Sequence, residues 1–159
     1  MKSRSSSAAL FFIITLLLTA CDGAVNIISG WPTASGKAPP FIITRPVFEI
    51  NEHPNYFHCA GMVFNFLNTA QKDVDRITVS FMLFDAVTQT SPFTGSNKFE
   101  ITKLDHVSPG ENIKVIISLD RFFYIAPKEP CIIDFFYISE IHYTDGSGWQ
   151  DKYGIYRVD

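Results

Sequence analysis

The chain is poor in the residues from which most active sites are built. Its 159 residues include only three cysteines and four histidines. No two histidines stand in a His-x-x-x-His spacing and no two cysteines in Cys-x-x-Cys, so the sequence carries no zinc pattern. His58 and Cys59 are adjacent, but neighbours on a strand point to opposite faces and cannot easily share a metal. There is no glycine-rich phosphate loop; Gly95 and Gly110 stand alone. Gly146-Ser147-Gly148 lacks the Gly-x-Ser-x-Gly spacing of a nucleophile elbow and reads as a hairpin turn. Asp73 and Asp75, beside Lys72 and Arg76, read as a solvated strand edge rather than an acid–base pair, and Glu49 and Glu52 read likewise. Lysine and arginine form no run, which argues against nucleic acid, where phosphate contacts carry most of the affinity. The expectation is a protein with no catalytic set, no metal and no cofactor.

A long hydrophobic run is also missing. The longest, Ala8 to Leu18, is interrupted only by Thr15 and falls far short of the ~20 apolar residues of a spanning helix. It follows Lys2 and Arg4 and ends at Leu18-Thr19-Ala20-Cys21. A basic start, an apolar stretch and small residues before a cut are the plan of a secretory signal. Leu-Thr-Ala-Cys also resembles the lipobox of bacterial lipoproteins. That resemblance implies a signal peptide over 1–20, a diacylglycerol thioether on Cys21, and an acylated new amino end. It places the protein in the bacterial cell envelope, lipid-anchored to a membrane.

What remains after such a cut is 139 residues, 21–159, enough for one domain with a real core. Lys2 and Arg4 leave with the signal, so eleven positive charges face 16 negative ones, a net charge of −5. Nothing in that balance favours an anionic membrane surface. Asp22 to Pro40, with Gly23, Gly30, Pro32, Gly36, Pro39 and Pro40, reads as a flexible tether over 21–40.

Phe, Ile, Val and Tyr dominate the rest and suit pleated, half-buried surfaces. Turn signals divide residues 41–159 into about seven runs. Strands are predicted within Phe41–Ile50 (with Pro46 confining part of it to an edge), then over Tyr56–Asn68, Val74–Asp85, Lys98–Leu104, Ile113–Leu119, Cys131–Tyr143 and Trp149–Val158. Ile77, Val79, Phe81 and Leu83 should face inward, with Thr78 and Ser80 outward. In the sixth run Ile133, Phe135, Tyr137 and Ile141 share one face. The fold class is an all-β antiparallel sandwich.

Gly61-Met62-Val63-Phe64-Asn65-Phe66-Leu67-Asn68-Thr69, then Ile77 to Asp85, then Ser108-Pro109-Gly110-Glu111 resemble the FxLYD-type domains of bacterial lipoproteins. Phe81-Met82-Leu83-Phe84-Asp85 stands for the naming motif, with Phe84 at the usual tyrosine. The resemblance covers roughly residues 60–143. It implies an immunoglobulin-like or fibronectin-like sandwich and no activity.

Two further expectations concern side chains. Phe122, Phe123 and Tyr124 are adjacent aromatics between two strands, beside Arg121. Three neighbours cannot all enter a core if the segment is extended, so they form either a partner-binding site or a plug over the open end. Lipidation of Cys21 leaves Cys59 and Cys131 as an even pair in an exported domain, on the strands bridged in antibody-type sandwiches, so a disulfide is expected. Cys59 is out of phase with inward-facing Ala60, Met62 and Phe64, and the bridge therefore needs a bulge, naturally at Gly61. The function read from all this is a non-enzymatic binding or envelope-assembly module whose partner is an envelope or surface protein, or a cell-wall or surface ligand. The alternative is an envelope enzyme, or an accessory subunit, with a site invisible in sequence.

Overall fold

The computed structural model describes residues 38–51, 53 and 55–158. The signal, Cys21 and most of the tether lie outside the described residues. Among the described residues eight strands form: β1 (Phe41–Ile43), β2 (Val47–Ile50), β3 (Ala60–Asn68), β4 (Val74–Phe84), β5 (Lys98–Val107), β6 (Asn112–Ser118), β7 (Ile132–Tyr143) and β8 (Gly148–Gln150). In the first sheet β3 is central, with β1 and β2 end to end along one edge and β6 along the other; the second runs β5-β4-β7-β8. All pairings are antiparallel. The chain is thus an all-β sandwich in which β3, β5 and β6 each hand the chain to the opposite sheet.

Eight strands rather than seven follow from Pro46. Proline has no N–H for the ladder, so the first run breaks there. Ile43 pairs with Phe66 and Val47 with Val63, so register slips by one residue across 44–46.

The core is the inward set of both sheets. Met62, Phe64 and Phe66 of β3 face Ile77, Val79, Phe81 and Leu83 of β4 and Phe136, Ile138 and Ile141 of β7. Phe64 and Phe136 meet edge to face, with ring centroids 4.9 Å apart. Burying one such side chain is worth ~1.5–3 kcal/mol. In β7 the inward residues are Phe136 and Ile138, not Phe135 and Tyr137. Phe135 adopts φ 50° and is about half exposed, so the phase changes there. A second slip beside Ile138 brings Ile141 back inward.

Two predicted strands are shorter than expected, each for a side-chain reason. β3 starts at Ala60, not Tyr56, because the Tyr56 and Phe57 amides donate to the His53 carbonyl in a turn. β8 stops at Gln150. The buried Asp151 carboxylate accepts the amides of Tyr153 and Tyr156 and pulls the chain out of the ladder. The chain rejoins β7 only at Val158, opposite Phe136.

The expected disulfide does not form: Cys59 and Cys131 are both free thiols. The ladder runs without a slip through Gly61, which pairs with Glu49 on one side and Ser118 on the other. Cys59 therefore keeps its outward phase while Cys131 is buried. Gly61 serves another purpose. A Cβ there would stand 2.2 Å from the Phe57 ring, which lies directly on its backbone.

Candidate functional site

The sandwich has two poles. At one, residues 38–40 enter: the Thr69 amide donates to the Pro40 carbonyl, and Phe41 pairs with Asn68. The β3–β4, β5–β6 and β7–β8 turns gather at this near pole, joined by the Gly110 amide on the Asn68 carbonyl and the Thr144 amide on Asp73. At the distal pole lie three longer connections, 51–59, 85–97 and 119–131.

Asp120 ties two of the distal loops together. Its Oδ2 accepts the His58 amide at 2.8 Å; its Oδ1 accepts those of Cys59 at 2.8 Å and Ala60 at 3.2 Å. Burial pushes this carboxyl up, but the three donated amides outweigh it and hold the group below the usual range. Asp120 also opens a short 3-10 turn, Asp120–Phe122, that sets the direction of the aromatic run.

The three aromatics divide. Phe122 meets Phe99 at 4.5 Å between centroids, and Phe123 meets Phe93 at 5.2 Å and Phe48 at 5.9 Å. These two close the open end, and Arg121 stacks on the outer side of Phe122. Tyr124 is fully exposed, and Ile125 beside it is 82% exposed. The run therefore divides: Phe122 and Phe123 are the plug, while Tyr124, with Ile125, is an exposed tip. Tyr56 and Val87, on the other two distal loops, are exposed as well.

Cys131 sits at the same pole, where burial, with Asp85 nearby, pushes its thiol up to about 11. It is therefore a protonated core residue and a poor nucleophile. Among the described residues no group of three or more His, Cys, Asp or Glu is placed to hold a metal.

A second feature escaped the sequence pattern. The outer face of β5-β4-β7 carries polar residues in register: Thr78 bonds Thr102 at 3.0 Å, Arg76 meets His142 at 3.2 Å, and Gln150 donates to Glu140 at 2.9 Å. Gln150 holds the Glu140 carboxyl below its ordinary value. Strand alternation turns this face, Ser80 included, to solvent, and groups Tyr137 instead with Ile133, Phe135 and Ile141. Ser80 and Tyr137 on it are nonetheless buried, because the turn after Asp151 folds back over them. Gly154, at φ 65°, lies against the Tyr137 ring, where a Cβ would approach to 3.1 Å.

These features define an antiparallel all-β sandwich with an apolar-tipped distal pole and a polar sheet face. No protein-family model and no curated protein sequence matches the chain. Among solved structures it is similar to a hypothetical protein from Peptoclostridium difficile 630, with a TM-score of 0.54, 12% identity, and coverage of 73% of this chain and 88% of that one. At that identity the likeness speaks for the fold alone.

Proposed function

We propose that this chain is a bacterial lipoprotein, anchored through Cys21, that presents a non-enzymatic binding module in the cell envelope. The observation that carries the reading is the opposition of the poles. The chain enters at one end of β3 and the Tyr124–Ile125 tip stands beyond the other. Nine residues of strand separate them, roughly 25–30 Å at ~3.3 Å per residue. A lipid on Cys21, through the flexible 21–40 tether, joins the chain to the bilayer from the near pole, and the apolar tip stands at the opposite end. A tip at the end remote from the anchor is available to an envelope or surface partner.

The test is photocrosslinking in cells, with a photoreactive residue at Tyr124 or at Lys72 on the near pole. The expected result is one discrete protein adduct from position 124, absent from position 72 and lost with Ile125→Ser. Cys21→Ser should move the protein out of the detergent phase and weaken the adduct. Capture from position 72 instead, or retention of the Cys21→Ser protein in detergent without lipid, would sink the reading.

A further inference from the structure

The outer face of β5-β4-β7, bordered by residues 150–152, carries an open depression of about 260 Å3. Ser80 lines it. This side chain is 2% exposed, and its Oγ has no hydrogen-bond partner among the described residues. Buried hydroxyls are nearly always paired, and leaving one unmade is destabilising. Its neighbours do not share the defect. Thr78 and Thr102 bond each other, and Ser139 donates to the Thr78 carbonyl and to Glu100. This orphan sits amid a satisfied polar ladder, just beneath the lining of the depression.

The rim is mixed in sign. Lys98 and Lys152 reach it, and neither pairs with a carboxylate among the described residues. Glu100, Glu140 and Asp151 stand around the same space. Ammonium donors, carboxylate acceptors and a free hydroxyl in near balance do not select an ion of either sign. They suit a ligand whose every group both donates and accepts, which is a neutral polyol. A smaller lobe of about 150 Å3 continues the depression under Tyr153, past Met82 and Tyr137. Tyr153 is 85% exposed, and its amide is fixed by buried Asp151. An aromatic face beside hydrogen-bonding groups accommodates the C–H face of a sugar ring. The main volume lies just under the roughly 300–1,000 Å3 of pockets for drug-sized ligands, room for one ring.

We propose that the outer face of β5-β4-β7 is a saccharide-binding site, in which Ser80 takes a ligand hydroxyl and Tyr153 stacks on the sugar. This site lies on a sheet face, not at the distal pole, and does not depend on the partner reading.

The experiment uses the full chain in a detergent without a sugar headgroup. Glucose, galactose, N-acetylglucosamine and their β-1,4 disaccharides are titrated by saturation-transfer NMR, with acetate and phosphate as ionic controls. At least one saccharide should saturate; a disaccharide gaining over its monomer identifies a glycan chain as the source, and equal affinity a free sugar. Tyr153→Ala and Ser80→Ala should each weaken binding by about tenfold. Ser80→Ala should also raise the melting temperature of the free protein by about 2–6 °C, since it removes an unsatisfied buried hydroxyl. The proposal is overturned if no saccharide saturates, if neither substitution weakens binding, if acetate or phosphate displaces the sugar, or if Ser80→Ala lowers the melting temperature. Crosslinking from position 124 should be indifferent to Ser80→Ala, so the two proposals fail separately.

Discussion

At the pole where the chain enters, a neutral amide organises the turns; at the opposite pole a carboxylate does. Asn68 is fully buried. Its Nδ2 donates to the Lys72 and Val107 carbonyls, both at 2.9 Å, and its Oδ1 accepts the Ala70 amide at 3.0 Å. The three bonds lock β3, β5 and the β3–β4 turn with groups that do not titrate. Asp120 does a similar job for loops 51–59 and 119–131 with a charge. The near pole thus has short turns and a pH-independent lock. The distal pole has long loops, a titratable lock and exposed apolar tips. Loops that vary on a rigid base are where binding surfaces commonly arise.

The sharpest break of this comparison is Asn68→Ala. It leaves two carbonyls and one amide without their partner in a closed environment. The expected loss is about 2–4 kcal/mol, read from urea unfolding. A loss under about 1 kcal/mol would mean that water replaces the amide and that the near pole is less closed than described.

The next effect belongs to the distal pole. Gly61→Ala drives a Cβ into the Phe57 ring, at an expected cost of about 1–3 kcal/mol. Phe57→Ala in the same chain removes the obstacle, so the double variant should lose clearly less than the sum of the two single losses. Strict additivity would mean that Phe57 already rests elsewhere.

Much of the frame was legible in the sequence because its causes are local. Alternation placed Ile77 to Leu83 and Met62 to Phe66 in the core, and Pro46 marked the broken edge. What was hidden is non-local. Asp120 captures amides some sixty positions away, and no local pattern announces that. Ser80 follows strand alternation but is buried by a turn that Asp151 and Gly154 form seventy residues later. The split among Phe122, Phe123 and Tyr124 was posed by strand geometry, but only the packing of Phe93 and Phe99 decides which ring goes in. The cysteine bridge failed on phase: β3 keeps its register through Gly61, so Cys59 never turns toward Cys131. Cys21 and the signal depend on the 1–20 pattern and lie outside the described residues.

The charge at the distal pole gives the third test. Asp120 has a folded-state pKa below its unfolded value of ~3.9. Its bonds therefore stabilise the fold at pH above that value and are lost as pH falls through the folded pKa. Asp120→Asn should cost about 1–3 kcal/mol at neutral pH, because one of its ends then presents a donor to backbone amides. The gap from the wild-type chain should narrow below about pH 4. A constant gap down to pH 2 would show that the amides do not depend on the charge.

The smallest effect is expected from the near pole's own ion pair. Lys72 lies 2.7 Å from Asp145, and both side chains are about half exposed. Lys72 holds the Asp145 carboxyl well below the usual range, helped by the Ser147 hydroxyl and amide. Read alone, that depression would make this pole pH-sensitive too. Exposure decides against it, because solvent and salt screen the pair and ordering two side chains offsets the gain. Lys72→Ala should therefore move the urea midpoint by about a tenth or less of the Asn68→Ala shift. Raising the salt should leave the two chains indistinguishable. A large shift that salt abolishes would overturn the contrast between the poles, since the base of the sandwich would then also be closed by charge.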